Sequence, residues 1–332
     1  MGLKVTVPGM QELRKVTFAL VPLLESISTS NNATRACDIV DRLVEAWNGH
    51  ELDGRNAIYV MCQDLCETLL VALSEKNSVP QCCHVVCKLI MNSDHGLRVF
   101  MEAGLGTVLR DLLGDRTLRE CYEAFRYLCM VSGIVINRVK DASPLKQLCP
   151  SIVEGLNFHI HNRRIVTEGV FTLHNMASLG EEERIFLGNC GACDTIVCAL
   201  WYADENSTAW LLKLTYMIGL RCSANLLRLS FSSICAAVIH ATKLHMSNPK
   251  VAQIACYAIR TIATVGTNAR DLTLYGAPGV LLGALELHAD TEYVVDAVLL
   301  ALDLFPDALG DPSTEKVVRG VMMRYPGLAS GG

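Results

Sequence analysis

The sequence is poor in charge, in proline and in aromatic residues, and these shortages exclude several classes of protein. Charged residues make up 19% of the chain of 332 residues and hydrophobic residues 51%, a balance that excludes an intrinsically disordered protein. Ten prolines leave long stretches free to form helices, because proline breaks a helix interior. A net charge of -5 argues against a protein that binds nucleic acid mainly through phosphate contacts.

Signals for export and for membrane insertion are also missing. Residues 1–24 show no secretory signal, and no apolar run reaches the roughly 18 residues that a spanning helix needs. Fifteen cysteines therefore predict free thiols in a reducing compartment, which we expect to be the cytoplasm. Nuclear, membrane-associated and cytoskeletal locations remain as alternatives.

The first residues match one modification pattern. Met1-Gly2-Leu3-Lys4-Val5-Thr6 fits the N-myristoylation signal, so Gly2 is a candidate lipidation site, with a chance match as the alternative. One acyl chain anchors a protein only marginally. We therefore expect a membrane partner only if Gly2 is acylated.

No motif indicates an enzyme, a cofactor or a metal. The patterns of phosphate-binding loops, zinc proteases, hydrolases and calcium loops are absent. Cys190-Gly-Ala-Cys193 has the spacing of a redox pair, but no predicted strand precedes it, which favours a structural role. Cys82, Cys83, His84 and Cys87 are four possible metal ligands. In a helix, Cys82 and His84 point about 100° to either side of Cys83 and Cys87, so the four side chains cannot converge on one metal ion.

What the sequence does contain is a repeat. Three similar segments have their first glycines at Gly104, Gly191 and Gly276, at intervals of 87 and 85 residues. Halving these intervals gives a period of about 43, and weaker copies lie at the halfway positions, in 145–156 and 232–241.

A second series of helical patterns follows the first at the same period. Apolar residues at three- and four-residue intervals predict helices at 118–132, 164–179, 208–222, 250–265 and 293–305. Turns are predicted between helices, at 93–96, 180–183, 203–206, 247–249 and 266–268. Including weaker copies in 20–47 and 59–92, about seven units stack into an all-α superhelical solenoid.

The period, the glycine turn before a leucine-rich helix and the longer helix that follows resemble the armadillo repeat, with HEAT repeats as a near neighbour. The resemblance covers roughly residues 10–310. It implies a right-handed superhelix whose third helices line a concave groove for a protein or peptide. Residues 1–9 are predicted to form an N-terminal segment, and 311–332 a capping helix at 314–323 and a loose tail.

The armadillo resemblance also implies candidate groove residues. Phe171 and Asn175 lie where the importin-α branch has the tryptophan and asparagine of its W-x-x-x-N pattern. The same offset in the other aligned repeats selects the pairs Arg126 and Met130, Tyr216 and Leu220, and Arg260 and Thr264. Since asparagine is missing from those three repeats, cargo binding of the importin type is disfavoured.

The predicted binding stripe is Arg126, Phe171, Tyr216 and Arg260, together with Asn175. Arginine and aromatic residues dominate binding energy at interfaces, although any solenoid face exposes some of them. Since Glu123 and Glu168 lie one turn back, we expect a groove of mixed charge and a peptide with an acidic and an apolar element.

The function that we expect from these features is that of a non-enzymatic scaffold or adaptor. Two alternatives stay open. One is a transport adaptor of the importin type. The other is a lipid-anchored adaptor, similar to the myristoylated armadillo proteins of vacuolar and flagellar membranes. The sequence predicts no nucleic-acid partner and leaves the oligomeric state open.

Overall fold

The computed structural model describes Cys66, residues 69–74, Lys76, and residues 79–92, 94–139, 145–310 and 312–325. Regular structure in these residues is helical throughout, with no strand among them. The predicted all-α class is therefore confirmed.

The chain divides into two compact units, one ending at Ser151 and the other beginning at Ile152. The helices of the first unit include α1 (Val79–Asn92), α2 (Asp94–Glu102), α3 (Leu105–Gly114), α4 (Arg116–Glu120) and α5 (Tyr122–Arg138). Helix α6 (Cys149–Phe158) follows. Within this unit α1 packs along α5, and the Arg138 side chain donates hydrogen bonds to the Ile90 carbonyl and the Asp94 carboxylate.

The second unit repeats a set of three helices. Its helices are α7 (Arg163–Leu179), α8 (Glu181–Asn189), α9 (Ala192–Leu200), α10 (Glu205–Gly219), α11 (Ser223–Phe231), α12 (Ile234–His245), α13 (Pro249–Ala263), α14 (Gly266–Leu274), α15 (Ala277–Leu287), α16 (Glu292–Leu302), α17 (Pro306–Leu309) and α18 (Pro312–Met322). Helices α8, α11 and α14 are the short first helices of their repeats. The third helices α7, α10, α13 and α16 form a row in which each packs against the next.

The turn between first and second helices explains the glycines of the repeat. Gly191 and Gly276 have φ angles of 87° and 88°, and Gly104 in the first unit has a φ of 96°. Glycine adopts this left-handed conformation without the steric cost that a Cβ atom imposes. In the weaker copy, Ser233 takes the same position at a φ of 62°.

Buried asparagines connect two of the first helices, α11 and α14, to the third helix before each of them. The Asn225 side chain donates to the carbonyl oxygens of Arg184 at 2.6 Å and Ile218 at 3.0 Å. Asn268, 43 residues later, donates to the Ile262 carbonyl at 3.1 Å. Both amides therefore satisfy carbonyl groups that the end of a third helix leaves without partners inside the helix.

The predicted third helices lie within a few residues of the observed ones, with one correction. The segment predicted as one helix at 118–132 contains the end of α4, a break at Cys121 and the start of α5. The break follows from Asp115, whose side chain accepts a hydrogen bond from the Leu118 backbone and starts a separate short helix.

Three predicted turns are wrong, because most of their residues are the starts of first helices. Residues 94–96 open α2, 181–183 open α8, and 266–268 open α14. Glycine and glutamate are typical of turns, yet acidic residues are also favourable in the first turn of a helix, where α8 has three glutamates. The predicted unit in 20–47 and the segment 1–9 lie outside the described residues. Helix α18 occupies the place predicted for the terminal helix at 314–323.

In the part of the chain that the structure describes, no single helix is long and apolar enough to cross a membrane. Helices α11 and α12, bent by 80° relative to each other, pass that test only when taken together and only by length and composition.

Candidate partner-binding groove

A cluster of aromatic rings lies across the first two third helices of the second unit. Phe171 on α7 and Trp210 on α10 meet edge to face, with ring centroids 4.9 Å apart. The ring of His174 lies 5.5 Å from that of Trp210, and the Lys213 ammonium group lies 4.3 Å from the centroid of the same indole. These rings are only partly buried, so the cluster offers both flat apolar surface and positive charge to a partner.

A cavity lies between α10 and α13, the next pair of third helices. It has a volume of about 810 Å³, and two members of the predicted stripe, Tyr216 and Arg260, line it together. Tyr257 and Arg221 also line it. The rings of Tyr216 and Tyr257 are 6.0 Å apart, tilted by 41°. The cavity thus combines two aromatic rings with two guanidinium groups.

The charge of this cavity differs from the mixed charge expected for the groove. None of its lining residues is Asp or Glu. Glu168 lies on α7 and is half-buried, whereas Glu123 lies on α5 in the first unit. Between α10 and α13 the surface is therefore cationic, which favours an acidic group in a ligand.

Arg126 belongs to a different unit of the chain from the other stripe residues. It lies on α5 of the first unit, and its guanidinium is 4.3 Å from the ring centroid of Tyr127. Phe171, Tyr216 and Arg260 all belong to the second unit. The site that can be described thus consists of those three residues and their neighbours.

Asn175, the predicted backbone-binding asparagine, is only 6% exposed. Its side chain hydrogen-bonds His174, the residue that contacts Trp210. Burial lowers the pKa of His174, the Asn175 hydrogen bond opposes that shift, and the charge of Lys213 adds to it. Asn175 therefore holds the His174 ring of the cluster through a hydrogen bond and does not present its amide to a ligand.

Cys190 and Cys193, which have the spacing of a redox pair, are unreactive thiols in the structure. Cys193 is 1% exposed, and burial raises the pKa of its thiol to about 12, with smaller opposing and reinforcing effects from Arg228 and Asp194. Burial also raises the pKa of Cys190. Such thiols stay protonated at neutral pH and are weak nucleophiles.

Among the described residues, no group of three or more His, Cys, Asp or Glu side chains is arranged to hold a metal ion. The candidate cluster of the run 82–87 is packed in α1, where burial raises the pKa of Cys83 well above its ordinary value. Gly2, the candidate lipidation site, lies outside the described residues.

The predicted stripe omitted several residues of the site, namely Trp210, Lys213, Tyr257 and Arg221. Trp210 and Lys213 precede Tyr216 at three-residue intervals, and Tyr257 precedes Arg260 by three. This spacing places neighbours on one helix face, and it could have identified them. Arg221 has no comparable signal, because it lies after the end of α10 with a φ of 54°.

A second exposed surface was also missed. Phe158, Trp201, Leu244 and Leu287 follow one another at intervals of 43 residues at the ends of the second helices α6, α9, α12 and α15. All four are substantially exposed, from 42% for Trp201 to 60% for Phe158. We call this set the apolar ladder. Its regular spacing in the sequence would have revealed it.

Solved structures of designed repeat proteins share this fold. One is a designed armadillo repeat protein, 15% identical, with a TM-score of 0.58 over 72% of this chain and 99% of that one. Another is a designed armadillo repeat protein in complex with the peptide (KR)4, 18% identical, with a TM-score of 0.58 over 72% of this chain and 99% of that one. An engineered protein matches with a TM-score of 0.61 at 15% identity, over 73% of this chain and 97% of that one.

No family model matches the chain, and no curated protein matches it either. At these identities the structural matches establish the fold alone. The chain has an armadillo-like helical repeat fold, an α-solenoid, as the sequence resemblance predicted. Such repeat scaffolds are suited to binding peptides, and one of the matched structures holds one.

Proposed function

We propose that this protein is a non-enzymatic scaffold that binds an extended peptide segment of a partner along the third helices of its second unit. The observation that carries the proposal is that two candidate binding features lie on consecutive pairs of third helices. The ring cluster around Trp210 spans α7 and α10, and the cavity beside Tyr216 spans α10 and α13. A peptide lying across consecutive third helices would contact both in turn.

The residue types support binding at this surface. Tryptophan, tyrosine and arginine are the residues most enriched among those that dominate interface energy. In the groove these types occur together as Trp210, Tyr216, Tyr257 and Arg260, all at least partly exposed. A solvated helix face would by contrast carry mainly lysine and glutamate.

The charge of the groove selects the kind of peptide. Lys213, Arg221 and Arg260 make it cationic, and the cavity has no carboxylate in its lining. The designed protein in complex with (KR)4 has a basic peptide. For this chain we propose the opposite partner charge, with an acidic residue near Arg260 and an apolar residue against Phe171 and Trp210.

Panning of a random peptide library against the full chain tests this proposal. Selected peptides should be enriched in acidic and aromatic residues, and Phe171→Ala and Tyr216→Ala should each weaken a selected peptide about tenfold. Leu244→Ala is the matched control, since it removes an exposed apolar side chain from the apolar ladder. Equal losses in all three variants would contradict groove binding.

The alternative of an importin-like adaptor rests on the sequence pair Phe171 and Asn175, and the burial of Asn175 counts against it. This alternative requires a basic peptide. Binding of a (KR)4 peptide more tightly than of an acidic peptide of equal length would support it. The lipid-anchored alternative is tested by the intact mass of the protein purified from its native source. An added mass of one myristoyl group at Gly2 would support it, and an unmodified terminus would exclude it.

A further inference from the structure

Two arginines in the cavity between α10 and α13 have no partner within the described part of the protein. Arg221 and Arg260 both line the cavity, and both are exposed. Neither guanidinium group forms a hydrogen bond or an ion pair with another described residue, and no lining residue carries a negative charge. Two uncompensated positive charges in one cavity favour a ligand that carries more than one negative charge.

Two residues that line the cavity, Tyr257 and Thr264, have hydroxyl groups that differ in their hydrogen bonds. The Tyr257 hydroxyl oxygen accepts a hydrogen bond from the Gln253 side chain at 3.5 Å, which leaves its own hydrogen free to be donated. Thr264, by contrast, donates its hydroxyl to the Thr261 carbonyl at 2.7 Å. The phenol of Tyr257, a residue that lines the cavity, therefore keeps a hydrogen that it can donate.

The size of the cavity bears on the kind of anion. The cavity is open to solvent on one side, and its volume of about 810 Å³ leaves room for more than one small ion, since about 10–15 Å³ suffices for one water molecule. The rings of Tyr216 and Tyr257 supply apolar wall. The space fits a charged group attached to a side chain better than an isolated ion.

We propose that this cavity binds the phosphate group of a phosphorylated side chain. A phosphomonoester carries a charge of about -1.5 to -2 at neutral pH and three acceptor oxygens. The planar fork of an arginine matches those oxygens with two parallel hydrogen bonds. A carboxylate, with one charge and two oxygens, leaves one of the two guanidinium groups unneutralised.

This inference deepens the proposed function, because it assigns one position of the bound peptide to a phosphorylated residue. If the site binds phosphate, a kinase and a phosphatase that act on the partner control its binding to the groove. The unphosphorylated peptide would retain only its contacts with the ring cluster around Trp210.

The test uses small probes on the full chain, measured by calorimetry and by saturation-transfer NMR. Phenyl phosphate represents phosphotyrosine, O-phosphoserine represents the alkyl esters, and benzoate represents a carboxylate. We expect a phosphate probe to bind at least about fivefold more tightly than benzoate, because charge-assisted bonds to two arginines form. Which phosphate probe binds more tightly distinguishes the aryl from the alkyl ester.

Variants locate the binding. Arg221→Gln and Arg260→Gln should each weaken the better phosphate probe about tenfold, as expected for loss of one charged hydrogen-bonding partner. Arg164→Gln and Arg270→Gln remove exposed arginines of the same unit that do not line the cavity, and they should leave binding unchanged. Equal binding of benzoate, or unchanged binding in the cavity variants, would overturn the proposal.

A peptide selected by panning separates this inference from the proposed function. A peptide that binds the groove with equal affinity in phosphorylated and unphosphorylated forms refutes the phosphate site alone. Phosphate probes that bind through Arg260 while no peptide binds the groove refute the peptide scaffold alone.

Discussion

Exchanging glycine and serine at one position of the repeat should change stability in opposite directions. Gly191 and Ser233 occupy the same turn before a second helix, with φ angles of 87° and 62°. We expect Ser233→Gly to stabilise the protein and Gly191→Ala to destabilise it, because only glycine adopts a left-handed conformation without strain.

The magnitude follows from two opposing effects. A left-handed conformation costs an L-residue roughly 1–2 kcal/mol. Glycine has the larger conformational entropy in the unfolded chain, which offsets about 0.4–1 kcal/mol of that difference. No other effect interferes, because a Cβ atom at Gly191 would come no closer than 4.0 Å to Val153, and Ser233 makes no side-chain cap hydrogen bond. The net change is about 0.5–1 kcal/mol in each direction.

Thermal unfolding followed by circular dichroism measures this change. A change of about 1 kcal/mol shifts the Tm of a domain of this size by roughly 2–4 °C, so Ser233→Gly should raise Tm and Gly191→Ala should lower it by about 1–4 °C. Gly266→Ala is the control. Gly266 begins α14, lacks a positive φ and has nothing within 4 Å of its Cβ position. A Gly191→Ala variant as stable as Gly266→Ala would refute the reasoning.

Further predictions concern the buried polar groups, the thiols and the ring cluster. Asn225→Ala should lower the free energy of unfolding by about 2–4 kcal/mol in urea titrations, because a buried carbonyl at Ile218 and a partly buried one at Arg184 lose their donor. Asn268→Ala, with one such bond, should lower it less, and equal losses would contradict this account. Burial raises the pKa of the thiols of Cys193, Cys235 and Cys256 to about 12. Below pH 9 these thiols are protonated in both the folded and the unfolded protein, so they do not make stability depend on pH there. Above pH 9 the unfolded thiols lose protons that the folded ones keep, and stability should fall by roughly 1.4 kcal/mol per pH unit for each thiol. Cys256→Ala should flatten the fall between pH 9 and 10, and an unchanged slope would contradict the assignment. In a Trp47→Phe, Trp201→Phe protein, the fluorescence of Trp210 should change when a selected peptide binds, and no change would place the peptide elsewhere.

The fold could be predicted from the sequence because its signals recur. Gly104, Gly191 and Gly276 mark the same turn in separate repeats, so the period is visible without any knowledge of contacts. The short first helices were not predicted. Helix α8 begins with glutamates and α14 with a glycine, residues that are also typical of turns. Packing against the third helices makes these segments helical, and local sequence does not reveal that packing.

The candidate site was predicted in part for a related reason. Phe171, Tyr216 and Arg260 share one register of the repeat, and the structure places the latter two in one cavity. Asn175 shares the same helix, but its burial depends on packing that one sequence does not reveal. Arg221 belongs to the site only because the chain turns at a φ of 54° after α10. A local backbone choice of that kind leaves no periodic signal.

The comparison of Trp210→Ala with Trp201→Ala tests the central claim most directly. Both variants remove a tryptophan from the second unit, one from the groove and the other from the apolar ladder. For a peptide selected on the full chain, the account predicts that Trp210→Ala weakens binding at least about tenfold and that Trp201→Ala has no effect, with both variants folded by circular dichroism. Loss of binding in Trp201→Ala with full binding in Trp210→Ala would contradict it.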